Sequence, residues 1–503
     1  MTEADQSTAA SLPRHATWLV AAAIVALATA ARCLFLDKSL WCDEADSYIR
    51  ATAGDFIAAA HTNVHPPLYF LLLRGLAVVV HSFAGLRLFS VACGVATVVV
   101  MLRTGPTLAG WLAGLLVACA PEMVYQSQEL RQYAFLSLLL LIALLCTLRL
   151  SADPPSPDAA IGLAVSLAAA AATHLATGFF MAPLALTLGW SHRRLGLRRL
   201  VALGALFLPA AAVLFFFHSI FLTAAKNLDR HTWWMAPANG SDATQAFSIA
   251  TGWDSIHWVA QALGRHMPLG ETALIGVVAA AVIVVLWVAW FPRPGRLVLT
   301  LLAIAVIYWA LIVGYSFTAL SILMPRIILP GMLPLFLSIA AGVAERRPGW
   351  PRRAAVFSIG VYALVGLIPW FWHFAWIPRE DLRGLIDVVR ENRPAGEPVV
   401  FVGGTDVAVD AYWPEFKSSP RQAKISLLAP LPPQLPELRA ALAKRAPGTG
   451  ALLVYRVDGY FHSHRNEFEM LLAALAAQGL GPPQSIWERT FYHVVRLPAS
   501  PAK

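Results

Sequence analysis

Long runs of Leu, Ala and Val recur from Thr17 to about residue 374, each of helical length. Such runs approach the roughly 20 apolar residues that carry a helix across a bilayer. The short alternating strands of an outer-membrane barrel are missing. Candidate spans lie near 17–36, 85–102, 108–122, 133–150, 159–174, 177–190, 200–221, 272–291, 297–317, 321–343 and 353–374. Charged residues make up 13% of the chain against 58% hydrophobic, about half the charged share of a soluble domain. The expected fold is a polytopic α-helical membrane protein with about 11 transmembrane helices.

The net charge of +9 resembles a nucleic-acid signature until the arginines are located. They gather in short loops at 193–199, 292–296 and 346–353, where the positive-inside rule puts them in the cytoplasm. That placement excludes a nucleic-acid partner. Cys33, Cys42, Cys93, Cys119 and Cys146 form no CxxC pair and none lies in the polar C-terminal region, so no disulfide framework is expected. Residues 1–16 read as a cytoplasmic tail. The run after them is too long for a signal-peptide core and lacks a small-residue cleavage site, so it is expected to stay as the first span.

This topology leaves three stretches outside. Residues 37–84 form the first external loop; within it, 66–80 begins with Pro66-Pro67 and carries Arg74, as expected of a juxtamembrane helix that does not cross. Residues 222–270 hold Asn227, Arg230, His231, Trp233, Trp234, Asp254, His257, Arg265 and His266. So long a connection reads as a lid or binding element, or equally as an interfacial loop with tryptophans at headgroup level. From about 375 to 503 the pattern becomes soluble. Strands are expected at 397–402, 423–428 and 450–457, and helices at 379–392, 434–445 and 465–479, giving a small extramembrane α/β domain. Its Gly403-Gly404-Thr405 turn is read as structural rather than as a phosphate cradle.

The chemistry concentrates at Leu40-Trp41-Cys42-Asp43-Glu44-Ala45-Asp46-Ser47-Tyr48, directly after the first span. Three carboxylates there cannot lie in hydrocarbon cheaply, so they belong at the bilayer surface. Such acids either end a helix as ordinary cap residues, or take a proton from an acceptor or hold a metal. The same external side collects His65-Pro66-Pro67-Leu68-Tyr69, Gln126-Ser127-Gln128-Glu129-Leu130-Arg131-Gln132-Tyr133, His174 and the Met324-Pro325-Arg326 turn. Acids with arginines and a histidine suit sugar transfer from a lipid phosphate. The leaving phosphate wants cations, and the incoming nucleophile wants a carboxylate base on the opposite face of the sugar. Direct displacement inverts the anomeric centre.

In order, the Asp-Glu loop, HPPLYFLLL, GLRLFSVACGVATVVVM, PEMVYQSQELRQYAFL, ATHLATGFF and MPRIILPGMLP resemble the glycosyltransferase family 39 group of GT-C fold. Relatives include the protein O-mannosyltransferases and the lipid A aminoarabinose transferases. The resemblance is strong over 17–190, weaker over 200–374 and only compositional beyond. It implies Asp43 as base or acceptor-positioning acid with Glu44 beside it, both catalytic, and His65, Arg131 and Arg326 on the donor phosphate. Tyr69, Glu129, Tyr133 and His174 are expected to line the cavity. The family's Arg-Tyr-x-x-Pro-like motif is altered here by Ile327 and Pro330, which removes a tyrosine role. Some GT-C enzymes use a divalent metal; Asp43, Glu44 and Asp46 are the acids available for one.

The expected function is therefore an inverting hexosyl- or pentosyltransferase. It would move a sugar from a polyprenyl-phosphate donor to a protein, lipid or glycan acceptor. The implied location is the periplasmic face of a bacterial inner membrane, with the C-terminal domain on that side. A transporter or flippase of lipid-linked sugar is the alternative, and a non-catalytic scaffold a third. A transporter should show internal repeats and interrupted helices with polar groups near mid-bilayer, and no convincing repeat is found.

Overall fold

Each apolar run predicted above is helical in the computed structural model, as the absence of water in a bilayer requires of any spanning backbone. The structure describes residues 14–498 apart from 62–64, 105–106, 153–155, 195, 227–239, 254–269, 292, 319–321, 377–379, 394–396, 403–404, 406, 418–423, 428–449, 458–464, 477–482 and 490. Most of the 222–270 loop, Gly403-Gly404 and the expected helix at 434–445 lie outside the described residues.

The chain opens with α1 (Arg14–Cys33) and then three short helices of the first loop: α2 (Cys42–Thr52), α3 (Phe56–His61) and α4 (Leu68–Ala77). At about 1.5 Å per residue, α4 is too short to cross roughly 30 Å of hydrocarbon. There follow α5 (Phe83–Leu102), α6 (Thr107–Cys119), α7 (Pro121–Ser127), α8 (Tyr133–Leu150), α9 (Pro157–Ala171) and α10 (Thr177–Ser191). The bundle is completed by α11 (Leu197–Ala205), α12 (Leu208–Lys226), α13 (Gly240–Ala250), α14 (Gly270–Trp290), α15 (Arg296–Thr318), α16 (Pro325–Ala344) and α17 (Trp350–Trp376). Among the described residues, five helices are long and apolar enough to cross a membrane, and up to seven if two bent pairs each count as one span. Large apolar side chains such as Trp18, Ile161, Phe215, Ile283 and Phe357 stay exposed on the outside of the bundle, as expected of a lipid-facing surface.

Two irregular helices shape the centre. The chain bends by 64° between α6 and α7, where Pro121 cannot donate the next intrahelical bond. The orphaned end of α6 is capped from α1: Arg32 donates to the Val117 carbonyl at 2.9 Å and the Ala118 carbonyl at 3.0 Å, and to Ser127 Oγ at 3.2 Å. Gly94 of α5 faces this joint, and a Cβ there would lie 2.8 Å from Arg32 Nε and collide with Ser127. Gly94→Ala is therefore expected to destabilise the protein by about 1–3 kcal/mol, read as a lower melting temperature in detergent. In α16, Pro330 and Pro334 interrupt the ladder; Tyr308 Oη and Trp309 Nε1 of α15 donate to the nearby Ile327 and Ile328 carbonyls at 2.5 and 3.0 Å. The Trp309 indole lies against Gly331, where no side chain would fit. These contacts fix the first turn of α16, which bears Arg326.

Beyond the bundle come α18 (Leu382–Asn392), β1 (Val399–Val402), α19 (Val407–Tyr412), α20 (Pro414–Lys417), β2 (Lys424–Leu427), β3 (Ala451–Arg456), α21 (Arg465–Ala476), β4 (Gln484–Glu488) and β5 (Tyr492–Leu497). The strands form one sheet in the order β2-β1-β3-β5-β4, parallel at β2-β1-β3 and antiparallel at β3-β5-β4. Alternate residues serve two faces. Val400, Val402, Leu453 and Tyr455 pack under Phe468, Leu471 and Leu475 of α21. Val399, Phe401, Leu452 and Val454 share a core with Leu385 and Ile386 of α18, and that same core takes in Leu40, Ala45, Tyr69, Phe70 and Leu73 of the first loop. The hydrophobic core thus runs across the boundary expected at 375. Leu40 N–H donates to Tyr412 Oη at 2.7 Å, and Arg383 N–H to Ser39 Oγ at 2.9 Å.

Candidate active site

Asp43 and Glu44 occupy the first turn of α2, where carboxylates favour the positive end of the helix dipole. Successive residues on a helix point about 100° apart, and here that separates two roles. Glu44 turns inward and is fully buried. Its Oε1 accepts from Arg87 Nε at 2.8 Å and from Leu130 N–H at 2.6 Å. Its Oε2 accepts from Arg87 Nη2 at 2.6 Å and from Trp41 N–H at 3.4 Å. Arg87 uses its other protons on the Leu36, Lys38 and Ser39 carbonyls. This two-pronged pair staples the first loop to α5, and no Glu44 oxygen is left for a substrate. Glu44, expected beside Asp43 in catalysis, makes all these contacts to the first loop, α5 and the α7–α8 turn.

Asp43 turns outward and keeps its side chain 33% exposed, with Oδ2 3.2 Å from Arg326 Nη1 and 3.5 Å from Arg131 Nη2. Burial alone would raise this carboxyl's pKa, but Arg131, Arg326 and Arg456 together outweigh it and hold it below the ordinary 3.8. Arg131, in the α7–α8 turn, is itself locked: Nη1 donates to the Asp43 carbonyl at 3.0 Å and to Ser47 Oγ at 2.9 Å. Both guanidiniums lie over the Tyr133 ring, at 5.7 Å for Arg131 and 5.4 Å for Arg326, a favourable cation–π arrangement.

The two histidines stand beside these arginines. Arginine only donates, so His65 Nε2 accepts from Arg131 Nη2, at 3.4 Å. Burial first, then competition with His174 for a proton and the Arg131 and Arg326 charges, push its pKa well below 6.5. His65 thus faces the same arginine as Asp43, and its imidazole favours the neutral form. His174, 4.9 Å from His65 ring to ring, accepts from Ala176 N–H through Nδ1 at 3.0 Å, and burial with the two arginines lowers its pKa to about 3. Tyr133 lies 5.5 Å from His174 and lines the same place. Glu129 is fully buried behind it, with its charge felt by Arg87 and Arg326. Tyr69 is 1% exposed and belongs to the core beneath the loop rather than to an open wall.

The three acids expected for a metal do not converge. Asp43 faces Arg131 and Arg326, Glu44 faces Arg87, and Asp46 pairs with Arg50 at 2.7 Å. Among the described residues, no group of three or more His, Cys, Asp or Glu side chains is placed to hold a metal ion. This donor set does not fit one.

Sequence reasoning missed Arg87, Glu380 and Arg456. Arg87 carried a signal, because a lone arginine inside an apolar run has to find an acid. Glu380 and Arg456 carried none.

The fold is that of the GT-C membrane glycosyltransferases, and the chain is a multi-pass membrane protein of that architecture. It is similar to the apo crystal structure of ArnT from Cupriavidus metallidurans, with a TM-score of 0.57 and 14% identity, over 96% of this chain and 98% of that one. ArnT bound to undecaprenyl phosphate gives a TM-score of 0.54 at 13% identity, over 95% and 97%. No family model matches the sequence, and no curated protein matches it.

Proposed function

We propose that this chain transfers a sugar from a polyprenyl-phosphate donor to an acceptor at the periplasmic face of a bacterial inner membrane, with inversion. One observation carries the reading: a part-exposed carboxylate, Asp43, flanked by two guanidiniums, Arg131 and Arg326, at the head of a GT-C bundle. The crystal structure of ArnT with undecaprenyl phosphate supports a lipid phosphate as the group those cations receive.

At rest the two arginines neutralise Asp43, which makes it a weak base. An arriving lipid phosphate competes for both guanidiniums, and a bidentate arginine–phosphate contact is stronger than the 3.2 and 3.5 Å contacts to Asp43. Losing its counter-charges raises the basicity of Asp43, so it can take the acceptor's proton as the nucleophile attacks the anomeric carbon. Arg131 and Arg326 then hold the departing phosphate. His65 keeps Arg131 in register, Tyr133 backs both cations, and Glu44 with Arg87 keeps Asp43 in place. The 222–270 loop is assigned to covering the cleft and the C-terminal region to holding the acceptor.

The test is release of polyprenyl phosphate from a panel of lipid-linked sugars in proteoliposomes, with a crude membrane extract as acceptor. Donor-dependent release supports transfer; donor that changes leaflet intact would mean a flippase. Arg326→Ala is expected to weaken donor affinity by about 10- to 100-fold through one lost charge-assisted contact, with Arg326→Lys recovering part of it. An unchanged donor KM in Arg326→Ala would remove Arg326 from the phosphate site.

A further inference from the structure

A second set of charges reaches the same acid from the C-terminal region. The first amides of a helix need acceptors from outside it, and Trp41 at the N-cap of α2 makes no side-chain cap bond. The acceptor comes from 338 residues away: Cys42 N–H donates to Glu380 Oε2 at 2.9 Å. Glu380 is fully buried and ion-paired with Arg456, at the end of β3. Arg456 Nη1 also reaches Cys42 Sγ at 3.8 Å, and Tyr492 Oη of β5 lies 4.0 Å from the same sulfur.

We propose that Glu380 and Arg456 are positioning residues for Asp43: Glu380 caps the helix that carries the acid, and Arg456 holds Glu380 in place and brings a third positive charge to the start of that helix. Without Arg456, Glu380 would be a buried carboxylate with only the Cys42 amide and the Tyr492 hydroxyl to offset its desolvation, and Arg456 supplies the counter-charge. The cap leaves α2 no freedom to turn Asp43 away from Arg131 and Arg326. The C-terminal sheet thereby acts on the reacting acid through two residues that touch no substrate.

The charged groups acting on Asp43 are Arg131, Arg326 and Arg456. Cys42, Glu380 and Tyr492 stand around Arg456, and neutral His65 behind Arg131. Removing the Arg456 charge favours the protonated form of Asp43, so its midpoint moves to higher pH. The carboxylate's contribution to stability exists above the ordinary carboxyl range and fades as pH falls through the lowered value. In the variant that contribution is smaller and its loss is complete at a higher pH.

The inference rests on Asp43 being the functional acid, but its test reads that acid directly. A water-soluble carbodiimide with an amine nucleophile labels protonated carboxyls, and the exposure of Asp43 admits the reagent. Labelling of the Asp43 peptide is followed by mass spectrometry against pH, on the full chain in nanodiscs. Arg456→Gln is expected to raise the midpoint by roughly 0.5 to 1 pH unit, and Arg456→Lys to keep it near wild type. If Arg456→Gln misfolds, the double variant Glu380→Gln with Arg456→Gln leaves no unpaired buried charge; it should show a smaller rise, because a negative charge leaves as well. With an active donor, the acid limb of the kcat–pH profile should move to higher pH in Arg456→Gln, in step with the Asp43 midpoint and at unchanged donor KM. An unmoved Asp43 midpoint in folded Gln variants overturns the inference. Failure of every donor in the wild type overturns the proposed function instead, and leaves the midpoint result to be judged by itself.

Discussion

The Asp43→Asn protein is expected to bind undecaprenyl phosphate at least as tightly as wild type while losing transfer by on the order of 10²- to 10⁴-fold. The substitution keeps the shape of the side chain and removes its charge. With no carboxylate between them, Arg131 and Arg326 no longer have a competitor for the phosphate, so affinity holds or rises as catalysis disappears. A collapsed site would lose both together. Equilibrium binding of undecaprenyl phosphate beside turnover in proteoliposomes separates these cases. Near-normal transfer by Asp43→Asn would remove Asp43 from the chemistry.

The second large effect lies one residue along and is of another kind. Glu44→Ala leaves Arg87 buried with carbonyls but no counter-charge, and strips the Leu130 N–H of its acceptor. Breaking a buried pair from one side costs about 3–5 kcal/mol, enough to reduce the yield of folded protein sharply. Glu44→Leu combined with Arg87→Met should cost less than the two single changes added together, because no charge is stranded. Thermal melting in detergent with a count of correctly folded protein reads both. If Glu44→Gln kept full stability and lost only activity, Glu44 would face the substrate after all.

Much of the bundle was legible because bilayer thickness and backbone hydrogen bonding leave a chain like this few choices. The site was legible where charge stands out against an apolar background, as at Asp43, Arg131 and Arg326. What could not be read was direction. Asp43 and Glu44 are chemically alike and adjacent, and only the start of α2 at Cys42 decides which faces Arg87 and which faces outward. The protonation of His65 could not be read either: burial and the arginine beside it, which donates to its ring, favour the neutral imidazole. In the C-terminal region the first three strands follow the sequence pattern. The edge strand β4 and its partner β5 escaped it, the former because its mixed exposure shows no clean alternation. Nothing local to Glu380 or Arg456 announces a tie to Cys42, since that tie exists only once β3 and β5 stand side by side.

Because the core under α2 draws on both Leu40–Leu73 and Leu382–Val494, it cannot close while the ribosome is still making the bundle. The first loop emerges early and has to wait, uncovered, through every later span until the last strand is delivered. The ground under Asp43 is thus among the last parts of the molecule to assemble. A chain stopped short of β5 would be inserted, threaded and inactive, with apolar residues of its first loop left bare for quality control to find.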